Sequence, residues 1–406
     1  MKLSKLSQLF LVSSIGLVVA TVLTGCQLVT IDYLFVTTSV GSGVGSAGQI
    51  QTFAVDSETG ALRIVDPAVP SGGVGPIAMA VTSDYQNLYV ANQGNNSVVH
   101  FQIADSGVLT SKDTITTSAT PVSLAVNAAG TYLYVISGTT SATLTEYALS
   151  SGTIGAAAAT KPLNLSSVNA SFAADTIIPT GINVLANSSA VYVTAYDQSA
   201  YNPGGSVSST ANPGWIFGFN VGTSGALTAA ASPYQAGVKP TAIASDPTNR
   251  FVYATDFASN QLIGYTIGTA NALNFMVSGP FRTGNEPEAV QIDPRGIYMY
   301  VANTLDSSVT GYTITLATGA PSALSFVAGS ANNATDTQPV SITIDPALGR
   351  FVYSANHLGN SVSGFRLDPT TGTLSLTQAT PYPTGNAPTA VITVPHGNHS
   401  LQQVTP

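Results

Sequence analysis

The sequence predicts an all-β fold made of seven copies of one antiparallel unit. Three observations predict it: a short strand motif with a central aromatic residue recurs seven times, a proline precedes six of the copies at a nearly constant distance, and helical periodicity is absent. The stretches LYVANQGNNSVVHFQI at residues 88–103 and MYVANTLDSSVTGYTI at residues 299–314 show the repeat most clearly. Each stretch has the pattern of two neighbouring strands of a hairpin.

The central aromatic residue marks one strand in every copy. The seven copies are Leu34-Phe35-Val36, Leu88-Tyr89-Val90, Leu133-Tyr134-Val135, Val191-Tyr192-Val193, Val252-Tyr253-Ala254, Met299-Tyr300-Val301 and Val352-Tyr353-Ser354. The prolines that lie 13 residues before the aromatic are Pro76, Pro121, Pro179, Pro240 and Pro287, and Pro339 lies 14 residues before Tyr353. This spacing indicates a strand after each proline and a turn of nearly constant length before the aromatic strand.

The two ends of the chain complement each other. Phe35 has no proline-led strand before it, and Pro388 has no aromatic copy after it. In a β-propeller, strands from both chain ends often complete one blade. The sequence therefore predicts a seven-bladed β-propeller of four-stranded antiparallel blades, in which residues 388–394 form the innermost strand of the first blade.

The strand after each proline has the pattern expected next to the propeller axis. We name this strand a and the following strands b, c and d, from the axis outward. The small residues two positions after the prolines are Ala78, Ser123, Gly181, Ala242, Ala289, Ser341 and Ala390, and the larger apolar residues three positions after are Met79, Leu124, Ile182, Ile243, Val290, Ile342 and Val391. This alternation is typical of a strand, and small side chains fit where seven strands converge.

The connections between strands predict which face of the ring carries the function. A glycine-bearing turn such as Thr59-Gly60 follows strand c and leads to a weaker outer strand d. Antiparallel order places the b–c and d–a connections on one face, called the upper face here, and the a–b and c–d connections on the lower face. The long insertions, including residues 163–176 and 197–214, fall on the upper face. We therefore expect the functional site there.

The N-terminal residues have the organisation of a bacterial export signal. A basic start with Lys2 and Lys5 precedes an apolar run that ends in Leu23-Thr24-Gly25-Cys26. These four residues resemble a lipobox, in which the cysteine is diacylated and becomes the new N-terminus. Cys26 is the only cysteine in the chain, so it cannot form a disulfide within the fold. A single membrane-spanning anchor is the alternative, because the apolar run is near the lower length for a span.

Four segments follow from these features. They are a lipoprotein signal peptide at residues 1–25, a lipidated linker at 26–30, the propeller at 31–396 and a C-terminal tail at 397–406. We expect a monomer in the bacterial cell envelope, attached to the membrane through the lipid on Cys26. Only 7% of the residues are charged and the net charge is −8, which excludes a nucleic-acid partner because phosphate contacts need a basic face.

The repeats also carry a family resemblance. The chain resembles the YVTN-type seven-bladed propellers and, within them, the lactonase family that includes propeller-type 6-phosphogluconolactonases. The stretch GQIQTFAVDSETGAL in the first blade is similar to the way those lactonases begin. The resemblance covers essentially the whole mature sequence, and it implies hydrolysis of a sugar lactone.

Charged residues are rare in this chain, so a group of them near the d–a connections of the middle blades stands out. Lys239, Arg282, Glu286 and Glu288 lie there, with Asp256 at the end of a strand b between them. Such charges near the mouth of the axis can bind a polar ligand or, together with Asn303, a divalent cation. A surface ion-pair network is the alternative. No organic cofactor and no definite metal site is predicted.

A mostly polar ring is predicted at the ends of the b strands. Its members, three residues after each central aromatic, are Thr38, Asn92, Ser137, Ala195, Asp256, Asn303 and Asn356. We predict that Asn92, Asn303 and Asn356 bind the ligand with Asp256. The alternative is that these side chains cap tight turns through the backbone.

Two functions are consistent with these residues. The first is binding of a small molecule, a glycan or an envelope protein on the upper face. The alternative is lactone hydrolysis, with Glu288 or His357 as the base that activates water and Lys239 or Arg282 stabilising the oxyanion. If the charged residues are not the site, the next contacts are Tyr196, Tyr201 and Trp215 of the fourth-blade loop, which we expect to be exposed.

The remaining motifs favour structural roles. His100 alternates within a strand, and His396 and His399 lie near the C-terminus, so packing or solvation is expected for each. Residues 43–48, GVGSAG, fit a dinucleotide-binding pattern but lead into a strand instead of a helix. A dinucleotide is therefore not expected there.

Overall fold

The computed structural model describes residues 29–39, 45–201, 212–230, 233–324 and 332–404. The proposed signal peptide and Cys26 lie outside these residues. The described chain forms seven antiparallel sheets, one for each predicted repeat, with four short 3₁₀ helices at Gln93–Asn95, Ala170–Ala174, Thr269–Asn271 and Gly397–Leu401. Within the described part of the chain, no helix has the length and apolar character needed to cross a membrane.

The strands follow the predicted order in every blade. Blade 1 contains β1 (Thr30–Ser39), β2 (Ala47–Asp56), β3 (Leu62–Ile64), β4 (Val69–Val74) and β33 (Asn386–Pro395). Blades 2 and 3 contain β5 (Pro76–Val81), β6 (Asn87–Asn92), β7 (Ser97–Ile103), β8 (Leu109–Thr116), β9 (Pro121–Val126), β10 (Tyr132–Ser137), β11 (Thr143–Ser150) and β12 (Thr153–Pro162). Blade 4 contains β13 (Ile177–Val184), β14 (Ala190–Asp197), β15 (Gly214–Val221), β16 (Leu227–Ala229) and β17 (Tyr234–Gln235).

The last three blades repeat the same plan. Blade 5 contains β18 (Pro240–Ser245), β19 (Phe251–Asp256), β20 (Gln261–Ile267), β21 (Leu273–Phe275) and β22 (Phe281–Arg282). Blade 6 contains β23 (Pro287–Ile292), β24 (Tyr298–Asn303), β25 (Ser308–Ile314), β26 (Pro321–Ala323) and β27 (Asn332–Ala334). Blade 7 contains β28 (Pro339–Ile344), β29 (Phe351–Asn356), β30 (Ser361–Leu367), β31 (Leu374–Leu376) and β32 (Tyr382–Pro383).

The ring closes as predicted. Strand β33 pairs antiparallel with β1, with a register that runs from Asp32 opposite Pro395 to Ser39 opposite Asn386. It also packs between β28 of blade 7 and β5 of blade 2, so each innermost strand has an innermost strand on both sides. The C-terminal strand therefore completes blade 1 and leaves no open inner edge.

The outer strands depart from a simple four-stranded plan. In blades 1, 4, 5, 6 and 7, strand d is broken into two short segments that both pair with strand c. Among the residues that the structure describes, only those of blades 2 and 3 form a continuous outer strand. Short, interrupted outer strands reduce the row of unpaired backbone groups that would otherwise favour pairing with another molecule.

The blades are held together by the repeated aromatic residue of strand b. In five blades its tyrosine hydroxyl donates a hydrogen bond, 2.5–2.7 Å long, to a carbonyl oxygen in the c–d turn of the next blade. The pairs are Tyr89 with Gly152, Tyr192 with Asn271, Tyr253 with Gly319, Tyr300 with Gly372 and Tyr353 with Gly60. The last pair joins blade 7 to blade 1.

The two other junctions use a tyrosine two positions earlier on the same face of the strand. Tyr33 donates to the carbonyl of Asp105, and Tyr132 donates to the carbonyl of Ser224. All seven junctions therefore contain a tyrosine-to-carbonyl bond. The turn glycines are required as well: Gly60 has φ +69°, and a Cβ atom there would lie 2.4 Å from the Phe351 ring of blade 7.

Candidate functional site

The site begins with an irregularity at the proline of each innermost strand. In blades 2, 3, 4, 6 and 7, the register with strand b skips the residue immediately after the proline, and blades 1 and 5 are irregular at the same place. Such a bulge turns the extra side chain away from the regular alternation. The side chains placed in this way form one ring, called the bulge ring here: Ile77, Val122, Thr180, Thr241, Glu288, Val340 and Thr389.

All seven members of the bulge ring line a cavity of about 760 Å³ along the axis. The small residues of the next position in each innermost strand also contribute to its wall. Lys239, Tyr196, Gln338 and His357 line its upper end, and Tyr85 and Pro346 line its lower end. A cavity of this volume is large enough for a sugar-sized ligand.

Glu288 is the only ionisable member of the bulge ring. Two of the other members join neighbouring blades: the hydroxyls of Thr241 and Thr389 donate hydrogen bonds to the carbonyl oxygens of Pro287 and Pro76 in the next blades. In blade 6 the corresponding hydrogen bond to the next blade comes from Thr304, which donates to the carbonyl oxygen of Pro339. The carboxylate of Glu288 is thus not needed to join its blade to the next one.

The environment of Glu288 favours its protonated form. Burial in the wall of the cavity raises its pKa, the Lys239 ammonium lowers it, and the nearby Glu286 carboxylate raises it again, with a net increase above the ordinary value. A raised pKa makes the ionised carboxylate a stronger base, and the protonated group can return the proton in a later step.

Lys239 is held at the upper end of the same cavity. Its backbone N–H donates to Oδ1 of Asp256 at 2.9 Å, and its ammonium lies 3.9 Å from the centroid of the Phe257 ring. The contact with an aromatic face positions the cation while leaving its hydrogens available. Lys239 and Glu288 line the same cavity, and their role in binding or catalysis stays a prediction.

His357 reaches the cavity from blade 7. Its Nδ1 lies 3.2 Å from the carbonyl oxygen of Pro388, and since a carbonyl only accepts, Nδ1 carries a hydrogen. In the neutral ring Nε2 is then the acceptor. His357 also donates its backbone N–H to the carbonyl of Gln338.

The polar ring at the b-strand ends lies outside the cavity wall. Asn92, Asp256, Asn303 and Asn356 are fully buried, and their side chains are used in hydrogen bonds to their own blade, to the preceding d–a connection or, for Asn92, to Ser71 in the outer strand of blade 1. Asp256, for example, accepts from the backbone N–H groups of Val238 and Lys239 and from the amide of Gln261. These residues fasten the d–a connections that carry the cavity residues, and their role in binding stays a prediction.

Three expectations about exposure and position were wrong. Arg282 does not lie at the axial mouth: it is exposed on β22 at the outer edge of blade 5, opposite Gln261. Tyr196 and Trp215 are not exposed aromatics, with 7% and 8% of their surfaces accessible. Trp215 pairs with Ala195 inside blade 4 and packs in its core, because the described residues on either side of the loop continue the two strands.

The structure also gives the positions of Glu286 and His100. Glu286 lies near Glu288 in the d–a connection, with its backbone N–H bonded to Asn260. His100 packs as expected, 5.1 Å from the Tyr89 ring and bonded to Asp113 and Asn87.

Sequence analysis missed Gln338. Its Oε1 atom is buried in the cavity region and accepts no hydrogen bond from any residue within the described ranges. The signal was available, because Gln338 stands immediately before its repeat proline, as Lys239 does. Aligning the residue after each proline would also have identified Glu288 as the one charged member among seven.

Comparison with known proteins agrees with this fold. A family model described as a lactonase, seven-bladed β-propeller, matches residues 46–162 and 179–399. No curated protein matches the sequence.

Several solved structures are similar over almost their whole length. The periplasmic gluconolactonase of Pseudomonas aeruginosa is 16% identical with a TM-score of 0.70, covering 90% of this chain and 99% of that one. A Bacteroides fragilis protein provisionally assigned as a 6-phosphogluconolactonase is 17% identical with a TM-score of 0.70, covering 91% and 99%. A functionally unknown protein from Desulfotomaculum acetoxidans is 13% identical with a TM-score of 0.63, covering 88% and 98%. At these identities the likeness concerns the fold.

Proposed function

Since the chain belongs to the lactonase family of seven-bladed β-propellers, we propose that its axial cavity hydrolyses a sugar lactone, with Glu288 as the base. The observation that carries the proposal is the bulge ring, in which six members are aliphatic or threonine and the seventh is a carboxyl group with a raised pKa. Lys239 supplies the positive charge beside it.

The reaction needs only groups that are present in the cavity. Glu288 takes a proton from a water molecule, and the resulting hydroxide adds to the lactone carbonyl carbon. The Lys239 ammonium stabilises the negative charge that develops on the carbonyl oxygen. The ring C–O bond then breaks, and Glu288 returns its proton to the leaving oxygen, which gives the open hydroxy acid. The Nε2 atom of His357 and Oε1 of Gln338 are acceptors for substrate hydroxyl groups.

The charges of the cavity favour an unphosphorylated lactone. Among the described residues that line it, Lys239 is the only lysine or arginine. A phosphate group is usually held by several cationic or N–H donors, and arginine is preferred for this purpose. A neutral sugar lactone, whose hydroxyl groups pair with Gln338, His357 and the threonines, suits this lining better.

We propose further that the enzyme acts outside the cytoplasm, attached through Cys26 as the N-terminal sequence predicts. The similar Pseudomonas aeruginosa protein is a periplasmic gluconolactonase, which supports this location. Binding of a ligand, glycan or envelope protein without turnover is the alternative function of the upper face. The small number of ionisable groups in the cavity is the observation that favours it.

The test is a lactonase assay on purified protein that lacks residues 1–25. Opening of glucono-1,5-lactone is followed by acid release in a pH-stat, with the spontaneous rate subtracted. We expect Glu288→Gln to lower kcat/KM by about 10²–10⁴-fold, and Lys239→Met to lower kcat more than it changes KM. Glu58→Gln, a change of an exposed glutamate away from the cavity, is the matched control and should leave the rate unchanged.

Four outcomes are decisive. Loss of activity in Glu288→Gln but not in His357→Gln supports Glu288 as the base, and the reverse pattern assigns the base to His357. No acceleration over the spontaneous rate for any lactone refutes hydrolysis. Binding of the lactone by calorimetry, with no turnover and with sensitivity to Glu288→Gln, would support the binding function instead.

A further inference from the structure

A second group of buried polar side chains lies on the lower face, at the opposite end of the ring from Lys239 and His357. It consists of Asp32 at the start of β1, Asp345 in the a–b turn of blade 7 and His399 in the C-terminal 3₁₀ helix. The accessible surface is 0% for both carboxylates and 5% for the histidine. The cluster therefore brings together the first blade, the last blade and the segment that follows the closing strand.

Asp345 and His399 each have an explained position. Asp345 accepts hydrogen bonds from the backbone N–H groups of Ala347, Leu348 and Arg350, as expected for an aspartate in a turn. His399 has its Nδ1 atom 2.8 Å from Oε1 of Gln402, which only accepts, so Nδ1 carries a hydrogen. In the neutral ring Nε2, the atom that faces both aspartates, then has a free electron pair.

Asp32 is the member of the cluster whose carboxylate has no hydrogen-bond donor among the described residues. Both of its carboxylate oxygens are buried, and neither accepts a hydrogen bond from any residue in the described chain. Nε2 of His399 lies 3.4 Å from its Oδ1 atom. A buried carboxylate without a partner is costly, so a positive group is expected beside it.

We propose that Asp32, Asp345 and His399 bind a zinc-class divalent ion that fastens the C-terminus to the ring. The distances fit: Nε2 of His399 lies 3.1 Å from Oδ1 of Asp345 and 3.4 Å from Oδ1 of Asp32. A tetrahedral site with bonds of about 2.05 Å has edges of about 3.3 Å. All three ligand atoms lie within 4.8 Å of one another.

The chemistry of the ligands selects the class of ion. Calcium takes six to eight oxygen ligands and magnesium keeps several waters, whereas one imidazole with two carboxylates in a buried site suits zinc. The bond from Nδ1 of His399 to Gln402 is the outer contact that typically orients a metal-binding histidine. Two carboxylates and one neutral imidazole also balance the charge of a divalent cation.

Protons are the competing occupant. Burial and the neighbouring Asp345 raise the pKa of Asp32, and although burial favours neutral imidazole, the two carboxylates raise the pKa of His399 to about 9. A protonated histidine beside a protonated Asp32 would also satisfy the cluster. The experiment must therefore distinguish a metal from protons.

The test uses the propeller without residues 1–25, treated with a chelator and dialysed. Stoichiometric zinc is added and followed by calorimetry and by the melting temperature, and cobalt is added for its visible spectrum. We expect one ion per chain, a tetrahedral cobalt spectrum and a rise in melting temperature on the order of a few degrees.

Asp32→Asn and His399→Gln should weaken zinc binding by at least about 100-fold, and Gln402→Ala by about 10–100-fold. His100→Gln is the matched control, because His100 is a buried histidine bonded to the single carboxylate of Asp113. If zinc does not bind to the unmodified chain, or binds equally to Gln402→Ala, Asp32→Asn and the control, protons occupy the cluster and the proposal is wrong. Gln402→Ala and the unmodified chain decide the result even if the ligand variants fail to fold.

Discussion

The tyrosine bonds between blades lead to a prediction that separates their contribution from the packing of the rings. Replacing Tyr353 with Phe removes one hydroxyl and leaves the ring in place. Tyr353 is fully buried, and its hydroxyl donates to the carbonyl of Gly60 at 2.7 Å across the junction between blades 7 and 1. The change therefore leaves one buried carbonyl oxygen without this donor.

The magnitude follows from the unsatisfied carbonyl. Leaving a buried acceptor unpaired costs about 1–3 kcal/mol. With an unfolding entropy of about 2.1 cal/mol/K per residue over a ring of roughly 370 residues, this corresponds to a decrease in Tm of about 1–4 °C. Tyr253→Phe breaks the equivalent bond to Gly319 between blades 5 and 6 and should cost a similar amount. The two changes do not share a partner, so their costs should roughly add.

Urea unfolding of the single and double variants measures these costs as changes in the free energy of unfolding. Tyr234→Phe is the control, because the buried Tyr234 hydroxyl forms no hydrogen bond with a residue in the described ranges. Removing that hydroxyl should be neutral or slightly stabilising. If Tyr353→Phe and Tyr253→Phe cost no more than Tyr234→Phe, the bonds between blades do not stabilise the ring and the reasoning is refuted.

Three further predictions follow from the closing strand, the cavity and the N-terminus. Deleting residues 387–406 removes most of β33 with the buried Val391 and Val394, so the melting temperature should fall strongly. A deletion of residues 403–406 is the control and should have a much smaller effect. Equal effects of the two deletions would contradict closure by this strand. Glu288→Gln should raise or preserve the melting temperature at neutral pH, because the pKa of Glu288 is higher in the folded state than in the unfolded state, so its ionisation costs stability as the pH rises. The higher melting temperature of the variant should disappear below about pH 4, where the carboxyl group is protonated in both states. A difference that persists there would exclude ionisation as the cause. Cys26→Ser should move the folded protein from the membrane to the soluble fraction in cell fractionation, whereas continued membrane attachment would indicate an uncleaved helix.

The fold could be predicted in detail because every blade must satisfy the same packing requirements, so the same residue types recur at the same spacing. Each blade needs a small residue two positions after the proline, where the inner strands converge, and in six blades an aromatic residue follows the proline by 13 or 14 positions, where blades pack. The orphan proline at Pro388 was sufficient to place the closing strand. The broken outer strands were not predictable in this way, because few side chains of an edge strand are buried and its pattern is correspondingly weak.

The sequence by itself determined the number of blades, the closure of the ring and the face that carries Lys239 and Glu288. Only the tertiary structure decided which of the charged residues meet. Arg282 is six positions from Glu288 in the chain, yet it points outward from an edge strand, while Lys239 and His357 reach the same cavity from other blades. The reason is that alternation along a strand fixes the side of a sheet, whereas proximity between blades depends on the bulge after each proline and on the closed ring. The same ring brings Asp32 and His399 together from opposite ends of the described chain, which no local pattern could specify.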